Sequence, residues 1–148
     1  NMSHSRIIQV SKERVEEDER LNSSSSEIYE RLQEINGVDY VMEPDSSREV
    51  KLDWLKEQLD KVGFALDGEE ITVGKDETFL SDWREKAVEV AENFDLWRMK
   101  EVASGVYFCA FYIYDEEFGC LMPLWEWAKE VLGNEQTYYV GGIIDYHY

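Results

Sequence analysis

The run Val106-Tyr-Phe-Cys-Ala-Phe-Tyr-Ile-Tyr114 constrains the fold more than any other stretch, because it is apolar and aromatic throughout and holds no charge, glycine or proline. On an extended backbone, Val106, Phe108, Ala110 and Tyr112 face one side, and Tyr107, Cys109, Phe111 and Ile113 the other. Both sets are apolar, so both faces need cover, as on an interior strand. Residues 106–114 are therefore expected to form the central strand of a sheet.

The remaining elements are placed around that strand by periodicity and punctuation. Ser5 to Ser11 is a short β-branched strand, expected near the sheet edge. Residues 12–26 hold five carboxylates, Glu13, Glu16, Glu17, Asp18 and Glu19, and read as a solvated connector. Ile28, Leu32 and Ile35 recur at helical spacing over 27–35, with Ser24 and Glu27 as a capping box and Asn36-Gly37 as the stop. Val38 to Met42 suits a strand.

A helix over 47–62 is signalled by Ser46 and Glu49 at capping-box spacing, by a Leu52, Leu55, Leu59, Val62 stripe with Trp54 beside it, and by Gly63. Asp67-Gly68 between Phe64-Ala-Leu66 and Glu70-Ile-Thr-Val73 marks a hairpin. The longest helix spans 77–100, with Phe79, Trp83, Ala87, Val90, Ala91 and Phe94 on its apolar face. Another covers 121–132, with Pro123 in its first turn and Gly133 after it. Residues 136–146 form the last strand, where Gly141-Gly142 signals a bulge or a close backbone approach.

The connectors between Gly105 and Tyr146 permit a right-handed parallel crossover, while the hairpin demands antiparallel pairing. The expected fold is α+β: a single acidic domain over 1–148, with a mixed sheet of about four or five strands and helices packed on it.

Charge excludes some functions. Fifteen basic against 33 acidic residues leave a net charge of −18, which repels nucleic acid and anionic membranes, so neither is an expected direct partner. A basic protein is the partner this charge favours. Two cysteines, Cys109 and Cys120, are too few for a disulfide scaffold and fit a reducing compartment. With no membrane-length apolar run and no hydrophobic signal core, the expected location is cytoplasmic.

Four stretches carry a resemblance: Ser5 to Ser11, Asp53-Trp-Leu55, the hairpin Phe64 to Val73, and above all Tyr138-Tyr-Val-Gly-Gly-Ile-Ile-Asp-Tyr-His-Tyr148. Together they resemble a group of small acidic proteins of Gram-positive bacteria to which no activity is attached. The resemblance implies a bacterial cytoplasmic origin and transfers no ligand or catalytic residue.

No catalytic, cofactor or metal constellation emerges: Gly-x-Ser-x-Gly, phosphate-binding loops and Gly-x-Gly-x-x-Gly are all missing from the sequence. Trp125 and Trp127 diverge on a helix, so one of them is expected at a rim. That places Trp127, with Glu13, Glu16, Glu17, Asp18 and Glu19, among the candidate partner-binding residues of a non-catalytic interaction protein: an inhibitor, an immunity-type protein or a nucleic-acid mimic. The alternative is a small-molecule-binding domain or enzyme with a pocket near the last strand. There Asp145 and His147 share a face, and Cys120 precedes a helix.

Overall fold

Thr137–His147 (β7) is the strand on which the sheet is built. The computed structural model describes residues 4–31, 40–42 and 46–147. One edge of β7 pairs antiparallel with His4–Ser11 (β1), from His4 opposite His147 to Ser11 opposite Tyr139. Its other edge carries two short strands end to end. Glu70–Thr72 (β4) lies against Thr137 to Tyr139, and Tyr40–Met42 (β2) against Asp145 to His147.

Ala65–Asp67 (β3) closes a hairpin onto β4. Beyond β1 lie Tyr112–Asp115 (β5), parallel to β1, and Cys120–Pro123 (β6), antiparallel to β5. Among the described residues the order is β3-β4-β7-β1-β5-β6, with β2 also on β7, making seven strands rather than four or five.

The glycine pair in β7 makes a bulge and a close backbone approach together. Ile8 pairs with Ile143 and Val10 with Val140, so a step of two on β1 meets a step of three on β7. The extra residue resets the alternation: Tyr138, Val140 and Ile143 all reach the same core. A Cβ on Gly142 would stand 1.9 Å from the Leu21 carbonyl oxygen, and one on Gly141 would stand 2.3 Å from Gln9 Oε1. The buried Gln9 side chain fills the space, accepting hydrogen bonds from the backbone N–H of Gly142 at 2.7 Å and of Leu21 at 2.9 Å.

Helices cover both faces. Arg48–Asp60 (α2) starts at Ser47, whose hydroxyl accepts from the Val50 N–H at 3.3 Å, one residue later than the Ser46 signal. It buries Leu55 and Leu59 with Val62 just beyond, in the larger core that also takes Phe79 of Thr78–Glu92 (α3) and Trp125 and Trp127 of Leu124–Val131 (α5). The opposite face packs Ile7, Tyr114, Leu121, Ile144 and Tyr146 against Ile28 of Ser26–Arg31 (α1), with Leu21 of the connector alongside. The connector's acidic side chains are exposed, while Leu21 joins the smaller core and its backbone lies on Gly142.

Several expectations are corrected. Of residues 106–114, only 112–114 are strand. Gly105, at φ 87°, caps Leu96–Ser104 (α4), and Phe108 turns aside to stack on Trp125 at 4.0 Å. The other half is irregular and buried only in part: Cys109 and Phe111 pack on Gln58 and Trp54 of α2, whereas Tyr107 and Ala110 are exposed. Accordingly β7 is the central strand, and β1 lies inside the sheet rather than near its edge.

The parallel crossover is present but starts from β6. β5 and β7 are antiparallel, with β1 between them, whereas β6 and β7 run parallel and are joined by α5 across two intervening strands. The helix expected over 121–132 begins at Leu124, after β6. That over 27–35 is described only to Arg31; its remainder, the Asn36-Gly37 stop and residues 38–39 lie outside the described residues.

The helix expected over 77–100 is two helices. α3 ends in a Schellman motif: the Asp95 N–H bonds the Val90 carbonyl and the Phe94 N–H bonds that of Ala91, both at 3.2 Å. Phe94 holds the left-handed position at φ 52°, where glycine is the usual residue, and Asp95 caps α4 by accepting from the Arg98 N–H at 3.0 Å. A side chain at that position costs on the order of 1 kcal/mol.

Gly142→Ala is expected to cost about 2–3 kcal/mol, because backbone must move to admit the methyl group. Gly68→Ala, where nothing lies within 4 Å of the added carbon and only the φ of 60° opposes it, should cost on the order of 1 kcal/mol. Urea unfolding of both variants checks the difference.

Candidate functional site

The acidic connector folds into a surface. Glu17–Glu19 form a short 3-10 turn, and Glu13, Glu16, Glu17, Asp18 and Glu19 are all exposed. The cations in the same segment turn to carboxylates elsewhere in the chain: Lys12 to Glu117 at 2.7 Å, Arg14 to Glu70, and Arg20 to Glu69 at 3.3 Å. None of the five connector carboxylates forms an ion pair among the described residues. Glu13 and Glu19 share a shallow recess with Glu116 of the β5–β6 turn, extending the acidic surface beyond the connector.

Beneath the connector, Arg48 at the start of α2 occupies the stretch of β7 edge between β4 and β2. Its guanidinium donates to the carbonyl oxygens of Gly141 at 2.7 Å and Val140 at 3.1 Å, and to the Glu69 carboxylate. The hydrogen bond from Arg48 holds the Glu69 carboxyl below its ordinary value of 4.5.

A cleft of about 450 Å³ opens between α2 and the ends of β1 and β7. Arg6 crosses it, with Nε 3.0 Å from Asp145 Oδ1 and the guanidinium carbon 4.5 Å from the centre of the Trp54 ring. Gln58, Phe108 and Phe111 complete the wall, and the Ser5 hydroxyl donates to the Ala110 carbonyl. Cys109 also lines the cleft but is buried, with Sγ 3.5 Å from Gln58 Oε1, and burial pushes its thiol up to about 12. That leaves almost no thiolate near neutral pH, so Cys109 is a packing residue rather than a nucleophile.

The candidate residues separate. Trp127 is not at a rim: it is fully buried, edge-on to Phe64 and Tyr138, with its indole N–H donating to Asp115 Oδ2 at 3.1 Å. Trp125 is buried as well, against Phe79, Trp83 and Phe108. Both belong to one large core that reaches round α5, so divergent side chains both find cover, and Trp127 leaves the list of contact residues.

The pocket trio is not assembled. Asp145 lines the cleft, whereas His147 stacks on Tyr40 at 5.0 Å. Cys120 sits opposite Asp115, and so level with Val10, six residues along β1 from the His4–His147 pair, on the order of 20 Å away.

Arg6 and Trp54 were legible only as a strand residue and a helix neighbour, since nothing local says that two distant elements bring them together. Among the described residues no group of three or more His, Cys, Asp or Glu could hold a metal ion, and no helix is long and apolar enough to cross a membrane.

Arg48→Ala should cost about 1–3 kcal/mol at pH 7, because it removes the donor to two carbonyls and leaves the Glu69 carboxylate with Arg20 alone. Glu69 has a depressed folded value, so its contribution is complete above pH 4.5 and is lost as pH falls through that folded value. The gap between native protein and variant should therefore narrow in acid, as checked by denaturant unfolding at both ends of that range. For Cys109, whose thiol is raised from 9.0 to about 12, iodoacetamide at mildly alkaline pH should alkylate the half-exposed Cys120 and spare Cys109 until the chain unfolds. Peptide mass mapping reads the order.

Compared with protein-family models, with curated proteins and with solved structures, the chain matches none of them.

Proposed function

We propose that this chain is a non-catalytic interaction protein whose acidic surface engages a basic protein partner, as an inhibitor, an immunity-type protein or a mimic of nucleic acid does. One observation carries the reading. The cations of the connector are drawn away to Glu117, Glu70 and Glu69, which leaves Glu13 and Glu16 to Glu19 ordered, outward and unneutralised. A flexible acidic tail would also keep a protein soluble, but here Gln9 and Leu21 hold the segment against β7. Fixed carboxylates present a pattern that a basic surface meets without ordering them first. The net charge of −18 adds long-range attraction to the local match.

A second reading rests on the cleft at Arg6, Trp54 and Asp145, where an ion pair beside aromatic walls suits a small ligand carrying both a donor and an acceptor. A saturable rise in melting temperature with such a ligand, abolished by Asp145→Asn, would favour it over the first.

The test is capture of the partner from cells that carry the gene, followed by direct binding of the two purified proteins. Replacing Glu16, Glu17, Asp18 and Glu19 by their amides should weaken binding by about tenfold or more at low salt, and by much less at high salt. The melting temperature should hold or rise, because these side chains are exposed and repel one another. Binding that ignores both salt and these substitutions would overturn the reading.

A further inference from the structure

We infer that the corner between α3 and α4 is the apolar anchor of the contact with the basic partner; this rests on the function proposed above and names a second part of the surface. Phe94, Leu96 and Trp97 are 82%, 71% and 76% exposed, the most exposed large apolar side chains among the described residues. Together they present on the order of 450 Å² of apolar surface, as large as the main apolar patch of an ordinary monomer. Val88 and Ala91, three apart on α3 and both exposed, lead the patch back along the helix. Neither the Phe94 nor the Trp97 ring meets another ring or a cation among the described residues.

Phe94 makes the argument specific. It occupies the left-handed position of the Schellman turn, where glycine relieves the strain, and its ring returns no burial to the fold. An aromatic residue that strains its own backbone and stays 82% exposed is placed for a contact outside the described residues. Phe and Trp are also among the residue types enriched in interface cores, Trp among those that dominate binding energy.

Charge selects the occupant. A second copy of this chain would bring another −18 to the corner, and an anionic membrane would be repelled by the same charge. Glu92 is exposed beside the patch, while Asp95 caps α4 and pairs with Arg98 at 3.8 Å. A basic protein with an apolar recess suits the rings, the exposed Glu92 beside them and the net charge of the chain.

The deciding experiment places photoreactive benzoylphenylalanine at Leu96 in cells that carry the gene. The expected product is a cross-link to a basic protein, whose affinity, measured with purified full-length proteins, falls by about tenfold or more for Phe94→Gly and for Trp97→Ser. Phe94→Gly should melt no lower than the native chain, since glycine suits the turn, so lost binding cannot be assigned to lost folding. A cross-link only to a second copy, only to lipid or to nothing would overturn the inference, as would an affinity that both variants leave unchanged. If that partner still responds to salt and to the amides at Glu16 to Glu19, the corner fails and the proposed function stands. Salt-independent binding would overturn the proposed function instead, whatever the corner variants do.

Discussion

The packing of three chain segments on Gly141 and Gly142 is the constraint on which the rest of the structure depends. Gln9 reaches across from β1, Leu21 passes over from the connector, and Arg48 donates to the adjacent carbonyls from the start of α2. Each contact serves backbone polar groups that would otherwise be buried without partners, and such groups are costly to orphan. The bulge lets β7 send Tyr138, Val140 and Ile143 into one core and Ile144 and Tyr146 into the other. The same pair of residues thus fixes the register of β1, the course of the connector and the docking of α2.

That arrangement turns an acidic run into a surface. The chain has few basic residues, and those near the connector serve as ties: Arg14 and Arg20 hold it to the β3–β4 hairpin, and Lys12 reaches Glu117 in the turn after β5. Exposed pairs of this kind contribute little stability one by one. Their consequence is spatial, because the carboxylates left over all face solvent. How the fold distributes its cations decides which carboxylates stay unpaired, which the net charge by itself does not state.

The tryptophans show the same logic with apolar groups. Trp125 and Trp127 diverge from α5, and both are buried because one aromatic core reaches round that helix, with Phe108 against the first and Tyr138 against the second. Trp97 sits on α4, just past the corner where α3 stops, and no element of the described chain covers it. The unbroken helix expected over 77–100 would have carried Phe94 on the buried stripe of Phe79 and Val90. The Schellman turn instead ends that stripe and directs Phe94 outward.

The sequence alone determined what depends on near neighbours. Helical stripes located α2, α3 and α5, Gly68 located the hairpin turn, and the Gly141-Gly142 pair announced a bulge. The excess of carboxylates set the expectation of a partner other than nucleic acid or an anionic membrane. Only the tertiary structure decided what depends on residues far apart in the chain. β1 and β7, at opposite ends, are neighbours because their apolar faces and backbone groups complete each other across more than a hundred residues. The uniform run at 106–114 could not disclose that only its last residues pair, while Phe108 stacks on α5, Cys109 and Phe111 meet α2, and Tyr107 and Ala110 face solvent, since apolarity does not state the manner of packing. Arg6, Trp54 and Asp145 likewise became one cleft only when a strand, a helix and a second strand were brought together, a juxtaposition that local periodicity does not encode.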